Sequence, residues 1–109
     1  MKKVNYNTDA DAVSLNLSSR KAPNSLELTE HILVDLADNG SVVGLEILDA
    51  SEEISKIFGR KIKKSEIKNM LCSIREEPNN EYLLQFRLKE KASRIASLLI
   101  PVYKSPVLA

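Results

Sequence analysis

The segment Ile32–Leu48 constrains the fold of this chain more than any other. It reads ILVDLADNGSVVGLEIL, two apolar runs on either side of Asn39-Gly40. Such a pair is a strong hairpin signal, because both residues tolerate the positive φ of a type I′ turn. A two-residue loop would place Asp38 opposite Ser41, and strand alternation would then bring apolar residues together on one face. The predicted opposite pairs are Leu36 with Val43, Val34 with Leu45, and Ile32 with Ile47.

The other face of this predicted hairpin carries two acids, Asp35 and Glu46. They would be diagonal neighbours, roughly 7–8 Å apart at the backbone. Gly44, opposite Asp35, leaves space that a ligand, a side chain or another backbone could fill. Three interpretations stay open: a solvated face, a ligand or metal site, and a pairing with a nearby Lys or Arg. We favour the solvated face, because antiparallel sheets commonly expose one face to water.

Size and composition exclude several classes of protein. The chain has 109 residues, the usual size of one domain, and a net charge of +1, which creates no field that would recruit nucleic acid or membrane. No window approaches the roughly 18 apolar residues that a membrane-spanning helix needs, and the N-terminus lacks the apolar core of a signal peptide. Cys72 is the only cysteine, so an internal disulfide is excluded. We expect a cytoplasmic, reduced protein that holds no cofactor and no metal.

Further strands are predicted ahead of the hairpin. Val4 and Tyr6 indicate a short strand, followed by a polar turn. Val13, Leu15 and Leu17 alternate with polar residues and predict a half-buried strand. The segment SLELT, residues 25–29, predicts another short strand.

Two short helices are predicted after Leu48. The first has Asp49 and Glu52 in capping-box positions and ends at Gly59. The second begins at Ser65. Its apolar stripe consists of Ile67, Met70, Leu71 and Ile74. Cys72 falls off that stripe, and we expect a passive thiol there.

The C-terminal part alternates from Tyr82 to Leu88 and predicts a strand. Residues 89–100 fit either a helix or a strand that returns along it, and we favour the strand. The patterns together predict an α+β fold: a small antiparallel β-sheet (a meander with the Asn-Gly hairpin), two short helices and a C-terminal β-hairpin. We expect one domain over residues 1–109, with a sheet and helix in 1–58 and a helix and strands in 59–109.

The first half of the chain resembles the family catalogued as domain of unknown function 2283. The similarity lies in the segments YNTDADAVSL, ILVDLADNG, VVGLEIL and DA. The matching positions are Tyr6, Asp11, Ala12, Asp35, Gly40, Gly44, Glu46, Ile47, Leu48 and Ala50. Ser14 departs from the family, which often has an aromatic residue there. The resemblance implies a small antiparallel sheet with a helix and no established enzymatic activity. It also implies an antitoxin-like or regulatory role, because some members look like partners of small toxin-like proteins.

Three functional hypotheses follow from these patterns. One histidine, one cysteine and scattered acids supply no recognisable catalytic set, so we do not expect an enzyme. The first hypothesis, which we favour, is a protein-interaction domain that forms a homodimer through the segment 82–108. The second is a nucleic-acid-binding regulator, whose candidate phosphate contacts are Arg60, Lys61, Lys63, Lys64 and Lys68. The third is weak binding of a metal or small ligand through Asp35 and Glu46. The candidate ligand or partner face consists of Asp35, Gly44, Glu46, Tyr6 and Asp11.

Overall fold

Two antiparallel sheets and two short helices form the structure, a computed structural model that describes residues 1–88 and 95–101. In chain order the elements are β1 (Lys2–Lys3), β2 (Asn5–Asn7), β3 (Ala12–Asn16), β4 (Asn24–Thr29), β5 (Ile32–Leu36), β6 (Val42–Ile47), α1 (Ala50–Phe58), α2 (Lys64–Ile67), β7 (Leu71–Glu77), β8 (Glu81–Arg87) and β9 (Ile95–Pro101). The five-stranded sheet has the order β2-β3-β6-β5-β4, and the four-stranded sheet has the order β1-β7-β8-β9. The predicted α+β class is confirmed.

The central hairpin pairs β5 with β6, and most of the predicted register is confirmed. Ile32 lies opposite Ile47 and Val34 lies opposite Leu45, all four of them buried. Alternation had predicted this buried face, because residues two apart on a strand share a face.

The loop of this hairpin differs from the prediction. The N–H of Gly40 bonds the carbonyl of Ala37, and the N–H of Ala37 bonds the carbonyl of Ser41, each at 2.9 Å. The loop therefore has three residues, Asp38 to Gly40, and only Gly40 has positive φ, at 82°. This is a type I turn followed by a left-handed glycine, and the predicted two-residue type I′ turn is wrong.

The longer loop shifts the register at the end of the hairpin. Leu36 lies opposite Val42 and not opposite Val43, as predicted, and the irregularity falls between Asp35 and Leu36. Val43 is the extra residue of β6, and its carbonyl accepts a 2.9 Å hydrogen bond from the N–H of Leu17. This extra residue restores the predicted register, so that Asp35 lies opposite Gly44.

The first helix ends as predicted but begins differently. Gly59 ends α1 with φ 70°, and its N–H bonds the carbonyl of Lys56. Asp49 precedes the helix in a left-handed conformation and makes no side-chain cap, so the predicted capping box is wrong. The side chain of Asp49 instead lies beside His31, with Oδ2 at 3.2 Å from Nδ1.

The second predicted helix is mostly a strand. Only Lys64–Ile67 is helical, its flanking cap is Lys63 and not Ser65, and β7 begins at Leu71. Cys72 lies opposite Phe86 and Ile74 lies opposite Leu84. The helical spacing of the apolar residues was misleading, because pairing with β8 satisfies the backbone of β7 and buries Cys72 completely.

The predicted C-terminal hairpin is confirmed for the residues that the structure describes. Tyr82 lies opposite Ile100 and Leu84 lies opposite Leu98, so residues 95–101 form the returning strand and not a helix. Residues 89–94 of the ambiguous segment and residues 102–108 of the predicted dimer segment lie outside the described residues.

One cluster of buried apolar side chains contains residues of both sheets and both helices. It includes Val13, Leu45 and Ile47 from the five-stranded sheet, Ile54 and Ile67 from the helices, and Leu84 and Phe86 from the four-stranded sheet.

Neither helix in the described part of the chain has the length and apolar character that a membrane span requires.

Candidate functional site

Tyr6 and Asp11, two of the predicted site residues, are held together with the start of α1. The hydroxyl of Tyr6 donates a 2.6 Å hydrogen bond to Oδ1 of Asp11. The same carboxylate accepts two bonds from Ser51: the backbone N–H reaches Oδ1 at 3.0 Å and the hydroxyl reaches Oδ2 at 2.6 Å. The N–H of Ala50 bonds the carbonyl of Asp11 at 2.8 Å. We call Tyr6, Asp11 and Ser51 the helix clamp.

The helix clamp performs the capping that Asp49 does not. The first N–H groups of a helix have no partner within it, and a carboxylate near them also interacts favourably with the helix dipole. Asp11 supplies that carboxylate from a distant turn, and it adopts a left-handed conformation with φ 51° to do so. The clamp therefore fastens the β2–β3 turn to α1.

The pKa values of the clamp agree with this geometry. Burial by itself would raise the pKa of Asp11, but the hydrogen bonds from Ser51 and Tyr6 outweigh it and hold the pKa below its ordinary value. Burial, together with the bond to Asp11, raises the pKa of Tyr6 well above its ordinary value. The phenol is therefore a permanent donor and the carboxylate a permanent acceptor at neutral pH.

Asp35, Gly44 and Glu46 meet on the outer face of the five-stranded sheet, as predicted. Asp35 lies directly opposite Gly44, and a Cβ at Gly44 would lie 2.9 Å from Oδ2 of Asp35. The space that Gly44 leaves is therefore filled by the carboxylate of Asp35. Ser25 on the neighbouring strand donates a 3.1 Å hydrogen bond to the other oxygen of that carboxylate.

Glu46 and Asp35 interact directly. A hydrogen bond to Asp35, burial, and the negative charge of Asp35 all raise the pKa of Glu46. The proximity of Asp35 thus makes ionisation of the Glu46 carboxyl less favourable. Within the described ranges 1–88 and 95–101, no group of three or more His, Cys, Asp or Glu residues is placed to hold a metal ion.

Glu46 and Tyr6 also line one shallow cleft of about 420 Å³ beside β2. Its polar lining includes Asn5, Asn7 and Ser14, and two lysines, Lys3 and Lys68, contribute to it. The structure therefore places part of the predicted ligand face at a cleft, whereas Asp11 is engaged in the helix clamp.

The five basic residues of segment 60–68 have different neighbours. Arg60 is half-buried and its guanidinium lies 3.1 Å from Oε2 of Glu66. Lys64 donates to the carbonyl of Thr8 at 3.4 Å, and Lys68 lines the cleft. Lys61 and Lys63 are exposed. Arg60 thus stabilises the chain around α2 through its ion pair. Phosphate contacts by the four lysines stay a prediction.

Sequence reasoning missed two groups of interacting residues. His31, the single histidine of the chain, lies beside Asp49 and has Nε2 at 3.9 Å from Oε1 of Glu53. The hairpin register could have found this neighbourhood, because continuing it from Ile32 and Ile47 places His31 opposite Leu48. Ser51 of the helix clamp was also missed, and no local pattern marks it, since its partner Asp11 lies 40 positions away.

The outer edge of β9 forms a second candidate site. Among the described residues, β9 pairs only with β8 and is the last strand of its sheet. Ile95, Ser97 and Leu99 point away from the core on this strand, and Ile95 and Leu99 are 54% and 50% exposed. Leu83 on β8 lies opposite Leu99 and is half-buried. We call Ile95, Ser97 and Leu99 the edge strip.

Comparisons with known proteins bear on the first half of the chain. No curated protein and no solved structure matches the chain significantly. A family model does match the part that contains the helix clamp, the central hairpin and the start of α1, and the resemblance seen in the sequence is confirmed. Residues 3–51 match the family described as Protein of unknown function (DUF2283).

Proposed function

We propose that the chain is a non-catalytic interaction domain that associates with itself as a homodimer. The observation that carries this proposal is the edge strip. Two large apolar side chains stand half-exposed on a strand whose outer edge has no partner among residues 1–88 and 95–101. An exposed apolar edge strand is a template for pairing with another chain.

The other sheet edges differ from β9 in ways that discourage such pairing. β1 has two residues, both lysines, and β2 has three. β7 is an edge only beyond Cys72, where it carries Arg75, Glu76 and Glu77. β4 carries Glu27, and its pairing with β5 is irregular between Glu27 and Thr29. Short strands, charges and irregularities are the usual protections of an edge. β9 has seven residues and the sequence IASLLIP, which contains no charge.

A second copy is the partner that accounts for this edge most simply. Homodimers with two-fold symmetry are the commonest assemblies of soluble proteins. Fully burying an exposed Leu or Ile contributes roughly 1.5–3 kcal/mol, and each copy offers two such side chains that are about half exposed. The family resemblance suggests a toxin-like protein as a further class of partner. A cytoplasmic location stays a prediction.

Light scattering coupled to gel filtration tests the homodimer. At micromolar concentration we expect a mass near twice the 12.2 kDa of the chain. Leu99→Lys should shift the mass to that of the monomer, because it places a charge on the edge strip. Leu48→Lys is the matched control, since Leu48 is 44% exposed but lies outside the edge strip. A wild-type mass near 12.2 kDa over the micromolar range would contradict the proposal.

A further inference from the structure

We infer that two copies join β9 to β9, antiparallel and edge to edge, about a two-fold axis that passes beside Ser97. This inference rests on the proposed homodimer and specifies its geometry. The result would be one continuous sheet that contains the four strands of each copy, with the edge strips of both copies on one face.

The spacing of the edge strip makes β9 complementary to itself in this register. In an antiparallel pair about an axis at Ser97, residues equally far from Ser97 on either side lie opposite each other. Ile95 and Leu99 each lie two positions from Ser97. Ile95 would therefore face the partner's Leu99, and Leu99 would face the partner's Ile95.

Neighbouring registers fit less well because of Pro101. Proline cannot donate to a ladder and is tolerated only at strand ends and edges. With the axis at Ser97, Pro101 lies beyond the paired segment 95–99 and interrupts nothing. With the axis at Leu98, Ile95 would face the partner's Pro101 and Leu99 would face the partner's Ser97, so the apolar pairing would be lost.

The pairing would also extend an apolar row that already spans two strands of the four-stranded sheet, β8 and β9. Leu83 lies opposite Leu99 in the β8–β9 ladder. Across the axis, Leu99 would meet the partner's Ile95, so each exposed Leu99 would have an apolar neighbour on both sides. Cross-strand apolar pairs of this kind stabilise a sheet.

A charge-swap experiment tests the axis. Ser97→Lys and Ser97→Glu each place two like charges opposite each other, and we expect self-association at least about tenfold weaker in each variant, since like charges juxtaposed at an interface are strongly unfavourable. An equimolar mixture of the two variants should restore a dimer, because Lys then faces Glu. Ser73 provides the matched control on the same sheet: it lies on β7, which β8 separates from β9, so Ser73→Lys and Ser73→Glu should leave the dimer intact.

Cross-linking provides a second measurement that does not depend on charge. Opposite Cα atoms in an antiparallel pair are about 4.5–5.5 Å apart, within the range of a disulfide. Ser97→Cys should therefore give a covalent dimer on mild oxidation, whereas Ser73→Cys should not. Native Cys72 is fully buried, and burial raises the pKa of its thiol to about 12, so it should not interfere.

The outcomes separate this inference from the homodimer itself. A dimer that dissociates with Leu99→Lys, but is unaffected by Ser97→Lys and Ser97→Glu and gives no Ser97→Cys cross-link, would overturn edge pairing and leave self-association standing. A monomeric wild-type protein would overturn both.

Discussion

The carboxylate of Asp11 accepts a 3.0 Å hydrogen bond from the backbone N–H of Ser51, 40 positions further along the chain. Both residues lie within the segment that matches the family, which runs from residue 3 to residue 51. Tyr6 and Asp11, which the resemblance singled out, thus have an internal role: they fasten the first helix to the first sheet.

Asp11→Ala should lower the free energy of unfolding by about 2–3 kcal/mol, because it leaves polar groups of Ser51 and Tyr6 without their charged acceptor. Asp11→Asn should cost less, since Asn tolerates the left-handed backbone and keeps one acceptor oxygen. Urea denaturation measures both changes. Asp9→Ala, in the same turn and exposed, is the control and should stay within about 0.5 kcal/mol of wild type.

The helix clamp should also make the free energy of unfolding depend on pH in the acid range. Because the pKa of Asp11 is lowered in the folded state, its contribution is fully present above the ordinary value of 3.8 and is lost as the pH falls through the folded value. The destabilisation by Asp11→Asn should therefore shrink in strong acid. A difference that stayed constant down to pH 2 would argue against the charged acceptor.

Glu46→Gln should have the opposite pH dependence. The pKa of Glu46 is raised, so its contribution is fully present below the ordinary value of 4.5 and is lost as the pH rises through the folded value. At pH 7 the Gln variant should be more stable than wild type by roughly 0.2–1 kcal/mol, the range of a cross-strand charged pair. The gain should vanish near pH 4. Glu27→Gln on β4 is the control, and a gain of the same size there would refute the assignment to the Asp35 pair.

The three-residue loop predicts that substitutions at Gly40 and at Asp38 change the stability of the protein differently. Gly40→Ala should destabilise the hairpin by about 1 kcal/mol, because alanine resists a φ of 82°. Asp38→Pro should be neutral or slightly stabilising, since Asp38 is the second residue of the type I turn, where proline is favoured. Thermal unfolding compares the two variants. A strongly destabilising Asp38→Pro would indicate that Asp38 belongs to a strand, as in a two-residue loop.

Arg60 should behave differently from the lysine beside it. Arg60→Gln removes the ion pair with half-buried Glu66 and should cost about 1–2 kcal/mol, between the values for exposed and buried pairs. Lys61→Gln, on an exposed residue, should cost less than about 0.5 kcal/mol. Equal effects in denaturant titrations would mean that the Arg60 side chain is a surface group, available for phosphate contacts after all.

The sequence alone determined the parts of the fold that depend on local pattern. Alternation predicted the buried face of the hairpin and the strand from Tyr82, and Gly59 marked the end of the first helix. These predictions succeeded because side-chain alternation and the conformational freedom of glycine act within a few residues.

The tertiary structure decided what depends on distant partners. The segment after Ile67 has helical spacing, yet it is a strand because β8 supplies its hydrogen bonds. Asp49 is placed to cap α1, but Asp11 does so from the turn between β2 and β3. The carboxylate of Asp35 fills the space over Gly44, and its proximity raises the pKa of Glu46, which the spacing of the two acids in the sequence did not predict. Local propensities are worth tenths of a kilocalorie to about 1 kcal/mol per residue, so a buried ladder or a charged hydrogen bond readily overrides them.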